Sequence, residues 1–103
     1  MLKDLNKQSL INFLKSPKIK ENFKNHNLEH LYLIWSFARD EANKDSDIDL
    51  MYKKRQWWLW AFKFIDFKQD LEKRIWRKVD LVNEKFLYKD LKPYVEKDKI
   101  LIF

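Results

Sequence analysis

The chain reads as an α+β domain: a small mixed β-sheet of three to four strands, with helices packed on one face, opposite a set of acidic residues. Three observations predict this. Apolar runs at residues 30–34, 47–52 and 78–82 have the length of strands. Between the second and third runs, Phe64, Phe67, Leu71 and Ile75 recur at helical spacing, a stripe that needs a sheet or another helix to cover it. Finally, 103 residues make one domain, able to bury roughly 60 to 65% of its unfolded surface around a single core.

Residues 1–28 are predicted to be helical scaffold. Leu2, Leu5, Leu10, Ile11, Phe13 and Leu14 fit a helical face, with Ser9 as a candidate N-cap. Ser16-Pro17 is a break, and Pro17 can start a second helix through about Lys24, with Ile19 and Phe23 on one face. His26 and His30 are four apart, a helical metal-ligand spacing, but Asn25, Asn27 and a strand beginning at His30 interrupt any helix there. Their expected role is structural or on the surface.

Residues 30–82 carry the chemistry. After the first strand comes a short helix at 36–42, a polar turn at 43–46 and the second strand at 47–52. In a strand, residues two apart point the same way, so Asp47 and Asp49 share one side while Ile48, Leu50 and Tyr52 take the other. Asp is depleted in strands, and like charges about 7 Å apart repel each other. A divalent cation is one reason to place both there; a hairpin end facing water is the other. Ser36 opens the short helix, where it can be a plain N-cap or can add a hydroxyl to an amide cradle for phosphate. Beyond a loop at 53–60 and a helix at 61–75, residue 76 falls at the C′ position that favours glycine. In the third strand Asp80 faces away from Val79 and Leu81, and beside Asp47 and Asp49 it would complete a three-carboxylate cluster. Residues 85–103 are expected to form one or two helices around Pro93 and a short terminal strand or tail.

Composition narrows the classes. With no Cys there is neither a disulfide framework nor thiolate chemistry. There is no signal-peptide pattern and no apolar run near 18 residues, so a soluble, cytoplasmic protein is expected. The net charge of +6 leaves room for an anionic partner, but acids and bases interleave along most of the chain as on ordinary solvated helices.

The motif Ser36, Ala38, Arg39, then Ser46-Asp47-Ile48-Asp49-Leu50, then Arg77-Lys78-Val79-Asp80-Leu81-Val82 resembles the minimal nucleotidyltransferases of the DNA polymerase β-like superfamily. Trp35 and Asp40 stand where that family carries glycines. The resemblance covers about residues 31–82. It implies transfer of AMP from ATP to a hydroxyl, with Asp47, Asp49 and Asp80 as catalytic residues holding two Mg2+ ions. The nucleotide would be held around Trp35, Ser36, Arg39 and Ser46. It also implies a partner: small stand-alone members resemble type VII-like antitoxins that silence a HEPN ribonuclease toxin by adenylylating a tyrosine. Two rival readings are an antitoxin that acts by binding alone and a basic nucleic-acid-binding protein, the latter marked by strong salt dependence.

The chain has no glycine and five tryptophans, where average usage predicts about seven glycines. Trp35, Trp57, Trp58, Trp60 and Trp76 all fall at glycine-like positions, at a motif glycine, in a loop entering a helix, or at a helix end. One reading covers all five: the residue is glycine, written by UGA codons and translated here as tryptophan. The other is substitution. As written, the cluster at 57–60 could also be a membrane-interface anchor or a base-stacking platform.

Overall fold

The computed structural model describes residues 5–25, 28–54 and 63–103. It begins with α1 (Lys7–Leu14), capped not by Ser9 but by Asn6. The Asn6 side chain accepts the Ser9 amide at 2.9 Å, and Ser9 Oγ accepts the Asn6 amide at 2.9 Å. Ser9 is thus the returning half of a capping box, three residues inside the helix. Pro17 then opens α2 (Pro17–Asn25), at the position where its missing N–H costs nothing.

Among the described residues four strands follow in chain order: β1 (Leu28–Ile34), β2 (Ile48–Lys54), β3 (Val79–Asn83) and β4 (Ile100–Leu101). β1 starts two residues earlier than the sequence suggested, and β2 takes in Lys53 and Lys54, which had been assigned to the loop. The remaining residues of that loop, including Trp57, Trp58 and Trp60, lie outside the described residues, as do Ala61 and Phe62 of the expected helix and His26. α3 (Trp35–Ala38) is a single turn, shorter than expected. α4 (Lys63–Ile75) crosses from β2 to β3, and α5 (Lys92–Asp98) follows a 3-10 turn at Glu84–Phe86.

In space the strands run β3-β2-β1-β4. β1 is antiparallel to β2 and β4, whereas β2 and β3 are parallel, as a helical crossover requires. Strand alternation then sorts the side chains. Leu31, Leu33, Ile48, Leu50, Tyr52 and Val79 are buried against Leu10 and Leu14 of α1, Ile19 and Phe23 of α2, and Phe67, Leu71 and Ile75 of α4. Phe23 meets Phe67 edge-on at 5.7 Å, and Asn22 donates to Asp70 at 3.0 Å, so α2 and α4 are tied by both packing and polarity.

The three longer helices of this layer lie opposite the acids, as the sequence predicts. The acid-bearing face has a cover of its own over part of its width, which the sequence did not suggest: Tyr32, Ile34 and Met51 are buried beneath Leu87 and Val95 of the C-terminal segment. Beside that small cluster Asp47, Asp49 and Asp80 remain partly exposed among the described residues.

Candidate functional site

The open part of that face holds the carboxylates. Asp47 immediately precedes β2, Asp49 lies in β2, and Asp80 lies in β3. In the parallel register Ile48 pairs with Val79, Asp49 with Asp80, and Leu50 with Leu81. Asp49 and Asp80 therefore share one rung of the sheet, on the same face, about a strand spacing of 4.8 Å apart in the backbone. The apolar residues either side of each point into the core, and this fixes the register: a slip of one residue would bury the acids.

The arrangement has an electrostatic cost. The Asp49 carboxyl is pushed up to about 6, most of all by burial and then by the neighbouring charges of Asp80 and Asp47. A hydrogen bond between the Asp49 and Asp80 side chains favours the protonated form, and Lys78 opposes these effects. Asp47 faces Lys78, with Oδ2 and Nζ 3.8 Å apart. Among the described residues no three acidic or His side chains close into a ready-made metal cage. Mg2+ does not need one, because it keeps several waters and is ordinarily bound through one or two carboxylates plus substrate phosphates. A hard cation is what this oxygen set fits: a carboxylate pair on one rung and a third acid close enough to repel it. It would also relieve the repulsion that raises Asp49.

The α3 turn stands at the end of β1. Among the described residues no side chain caps its N-terminus, where Ile34 occupies the cap position, so Ser36 lies inside the turn and is not its N-cap. Arg39 ends the turn and pairs with Glu41 at 3.5 Å. Ser46 is committed to the loop before β2: its Oγ accepts the Asn43 amide at 2.9 Å and meets Asn43 Oδ1 at 3.3 Å.

Trp35 has φ of 58° and Trp76 has φ of 59°. Both are left-handed conformations that favour glycine and cost other residues roughly 1 to 2 kcal/mol. Asp40, at the second family glycine, has φ of 58°, although Asp tolerates that region better than an aromatic does. The Trp76 amide closes α4 by donating to the Glu72 carbonyl at 2.7 Å, and its side chain is 76% exposed. The Trp35 indole, like Val82, is half-buried against the cluster that contains Tyr32, Ile34 and Met51. It forms one wall of a cleft of about 550 Å³ whose other walls include Asp80, Leu81 and Val82 of β3 and Lys68 and Glu72 of α4. The candidate nucleotide side and the third carboxylate thus meet at one cavity.

Two residues of this site escaped the sequence reading. Lys78 could have been found, because it is two residues from Asp80 and strand alternation puts both on one face. Arg77 could not: its Nη1 donates to the backbone carbonyls of Asn43 at 3.0 Å and Ser46 at 3.1 Å, contacts across more than thirty residues that no local pattern encodes.

The family model described as "Polymerase beta, Nucleotidyltransferase" matches residues 17–103. No curated protein matches the chain. Among solved structures, one described as a minimal nucleotidyltransferase is similar at 23% identity and a TM-score of 0.78, covering 96% of this chain and 98% of that one. A toxin–antitoxin structure with AMP-PNP is similar at 21% identity and a TM-score of 0.69, covering 96% of this chain and 73% of that one. A tri-AMPylated HEPN toxin in complex with its MNT antitoxin, from Shewanella oneidensis, gives 20% identity and a TM-score of 0.63, with coverages of 94% and 71%. With the family match spanning α2 to the last residue and the shared rung of carboxylates inside it, the chain belongs to the polymerase beta nucleotidyltransferase family.

Proposed function

We propose that this chain transfers AMP from ATP to a hydroxyl acceptor, a tyrosine of a HEPN ribonuclease toxin, and acts as its antitoxin in a type VII-like pair. The observation that carries the chemistry is the Asp49–Asp80 rung with Asp47 beside it. Its similarity to the AMP-PNP-bound and AMPylated toxin–antitoxin structures supports the substrate and the partner. A protein acting on an intracellular ribonuclease would work in the cytoplasm, and among the described residues no helix is long and apolar enough to cross a membrane.

Asp47, Asp49 and Asp80 would hold two Mg2+ ions, which when bound neutralise phosphate charge and polarise the reacting oxygens. The chain's own residues do the rest. The uncapped amides of α3 and the Ser36 hydroxyl receive the triphosphate, with Arg39 and Ser46 at its margins. Lys78, which faces Asp47, would remain as a nearby positive charge when Asp47 holds a cation. The acceptor hydroxyl, entering from the Asp80 side of the cleft, attacks the α-phosphorus in line; its proton passes to the carboxylate cluster, and pyrophosphate leaves.

One observation favours a second reading, an antitoxin that acts by binding alone: the Trp35 indole, in place of a small residue, walls the cleft that Asp80 also lines. Co-expression with a helical partner toxin separates the two. Transfer predicts an AMP-sized mass increase on the partner and loss of protection in Asp49→Ala, whereas full protection by Asp49→Ala with no added mass would establish occlusion.

A further inference from the structure

The sharp return at the end of α4 aims Arg77 backwards. Residue 76 adopts a left-handed turn, and the next side chain reaches from the start of β3 to the loop ahead of β2. There Nη1 is shared between the carbonyls of Asn43 and Ser46, the latter being the residue just before Asp47. The guanidinium carbon also lies 5.5 Å from the ring centre of Phe37, a buried residue of α3. One side chain, two residues ahead of the strand that carries Asp80, therefore touches both the phosphate-side turn and the approach to Asp47.

The loop it holds is already ordered by its own bonds. Asn43 Oδ1 accepts the Asp45 amide at 2.8 Å, and the Ser46 amide donates to the Asn43 carbonyl at 3.1 Å. These bonds shape the turn but do not fix it to the sheet. Beyond Ser46 the backbone joins β3 through the Ile48 amide, which donates to the Lys78 carbonyl at 2.9 Å. Arg77 supplies the side-chain tie across the same gap, one residue earlier. Its flat, permanently charged head can face two carbonyls and a ring at once, which a compact, strongly hydrated ammonium does less well.

We infer that Arg77 is a positioning residue that sets where Asp47 stands relative to the Asp49–Asp80 rung. The inference rests on the proposed metal chemistry for its consequence, but on the hydrogen bonds alone for its geometry. The test uses Arg77→Met, which keeps bulk and removes the donors, with Arg77→Lys as the conservative rescue. Arg74→Met is the control, since Arg74 pairs with Asp70 at 3.0 Å toward α2 and away from the acids.

Two readouts are taken: Mn2+ affinity by titration and amide hydrogen exchange at residues 45–47. Arg77→Met should weaken Mn2+ binding about tenfold or more, the usual scale for groups that orient metal ligands. It should speed exchange at 45–47 by a similar factor, with Arg77→Lys between it and the parent. Arg74→Met should lower the melting temperature and change neither readout. If Arg77→Met also lowers only the melting temperature, the positioning role is overturned. Failure of the parent to bind Mn2+ would sink the proposed function instead, and the exchange measurement would still decide the role of Arg77.

Discussion

The two faces of the central sheet are made from alternate residues of the same strands and do opposite work. On one face Leu31, Leu33, Ile48, Leu50 and Val79 are fully buried under three helices. On the other, Asp49 and Asp80 stand half-buried beside a smaller cluster, of five buried residues among those described. The first face holds the fold together; the second stores repulsion that a bound cation would discharge. A site can be this unfavourable because the opposite face more than offsets it, and the pleat keeps the two within one residue of each other.

Adjacent positions should then separate stability from activity. The largest effect is expected from Asp49→Ala, which should lower nucleotidyl transfer about a thousandfold, roughly 4 kcal/mol of barrier, while the unfolding midpoint in urea stays level or rises. Its neighbour Leu50→Ala should do the reverse, costing about 2 to 5 kcal/mol of stability through the cavity it leaves. Loss of stability in Asp49→Ala comparable to that in Leu50→Ala would dissolve the division between the faces.

Next in size are the two left-handed tryptophans. Trp35→Gly relieves backbone strain and opens the cleft, so nucleotide affinity by calorimetry should rise about tenfold or more, partly at the expense of indole packing. Trp76→Gly removes a side chain that is mostly exposed and should stabilise by about 1 kcal/mol with no effect on affinity. If Trp35→Gly leaves affinity unchanged, the indole is not an obstacle, and the glycine reading loses its functional support.

The smallest effect is on pH dependence. The Asp49 carboxyl sits at about 6 in the folded chain against an ordinary 3.8, so between those values the native state binds more protons than the unfolded one. Stability without divalent metal should therefore rise as pH falls from 7 toward 5, by a few degrees in melting temperature, and flatten near 4. Asp49→Ala should remove that rise. A parent protein that loses stability over this range would show that other carboxylates dominate.

Much of this was legible beforehand because period-two alternation carries both roles at once. Ile48 and Leu50 had to be inside, so Asp47 and Asp49 had to be outside, and the same logic placed Asp80 against Val79 and Leu81. The stripe of Phe67, Leu71 and Ile75 identified α4 in the same way. What periodicity does not encode is contact between distant segments. The parallel rung joining Asp49 to Asp80, the Arg77 tie and the packing of α5 onto the acid face all depend on register set by the whole fold. Local polarity misled once, at Ser9, since either partner of a capping box looks like a cap in sequence.

The left-handed turn at residue 35 lies upstream of every carboxylate of the site. If the codon there is UGA, the product depends on who reads it. A ribosome that stops would release a chain ending at Ile34, with β1 lacking its neighbours β2 and β4, an apolar strand with both edges open to aggregation. One that inserts tryptophan makes the whole fold with an indole walling its cleft. Only glycine decoding yields the sheet, the acids and a cleft without that indole wall, so the same gene would give three different products in three translational settings.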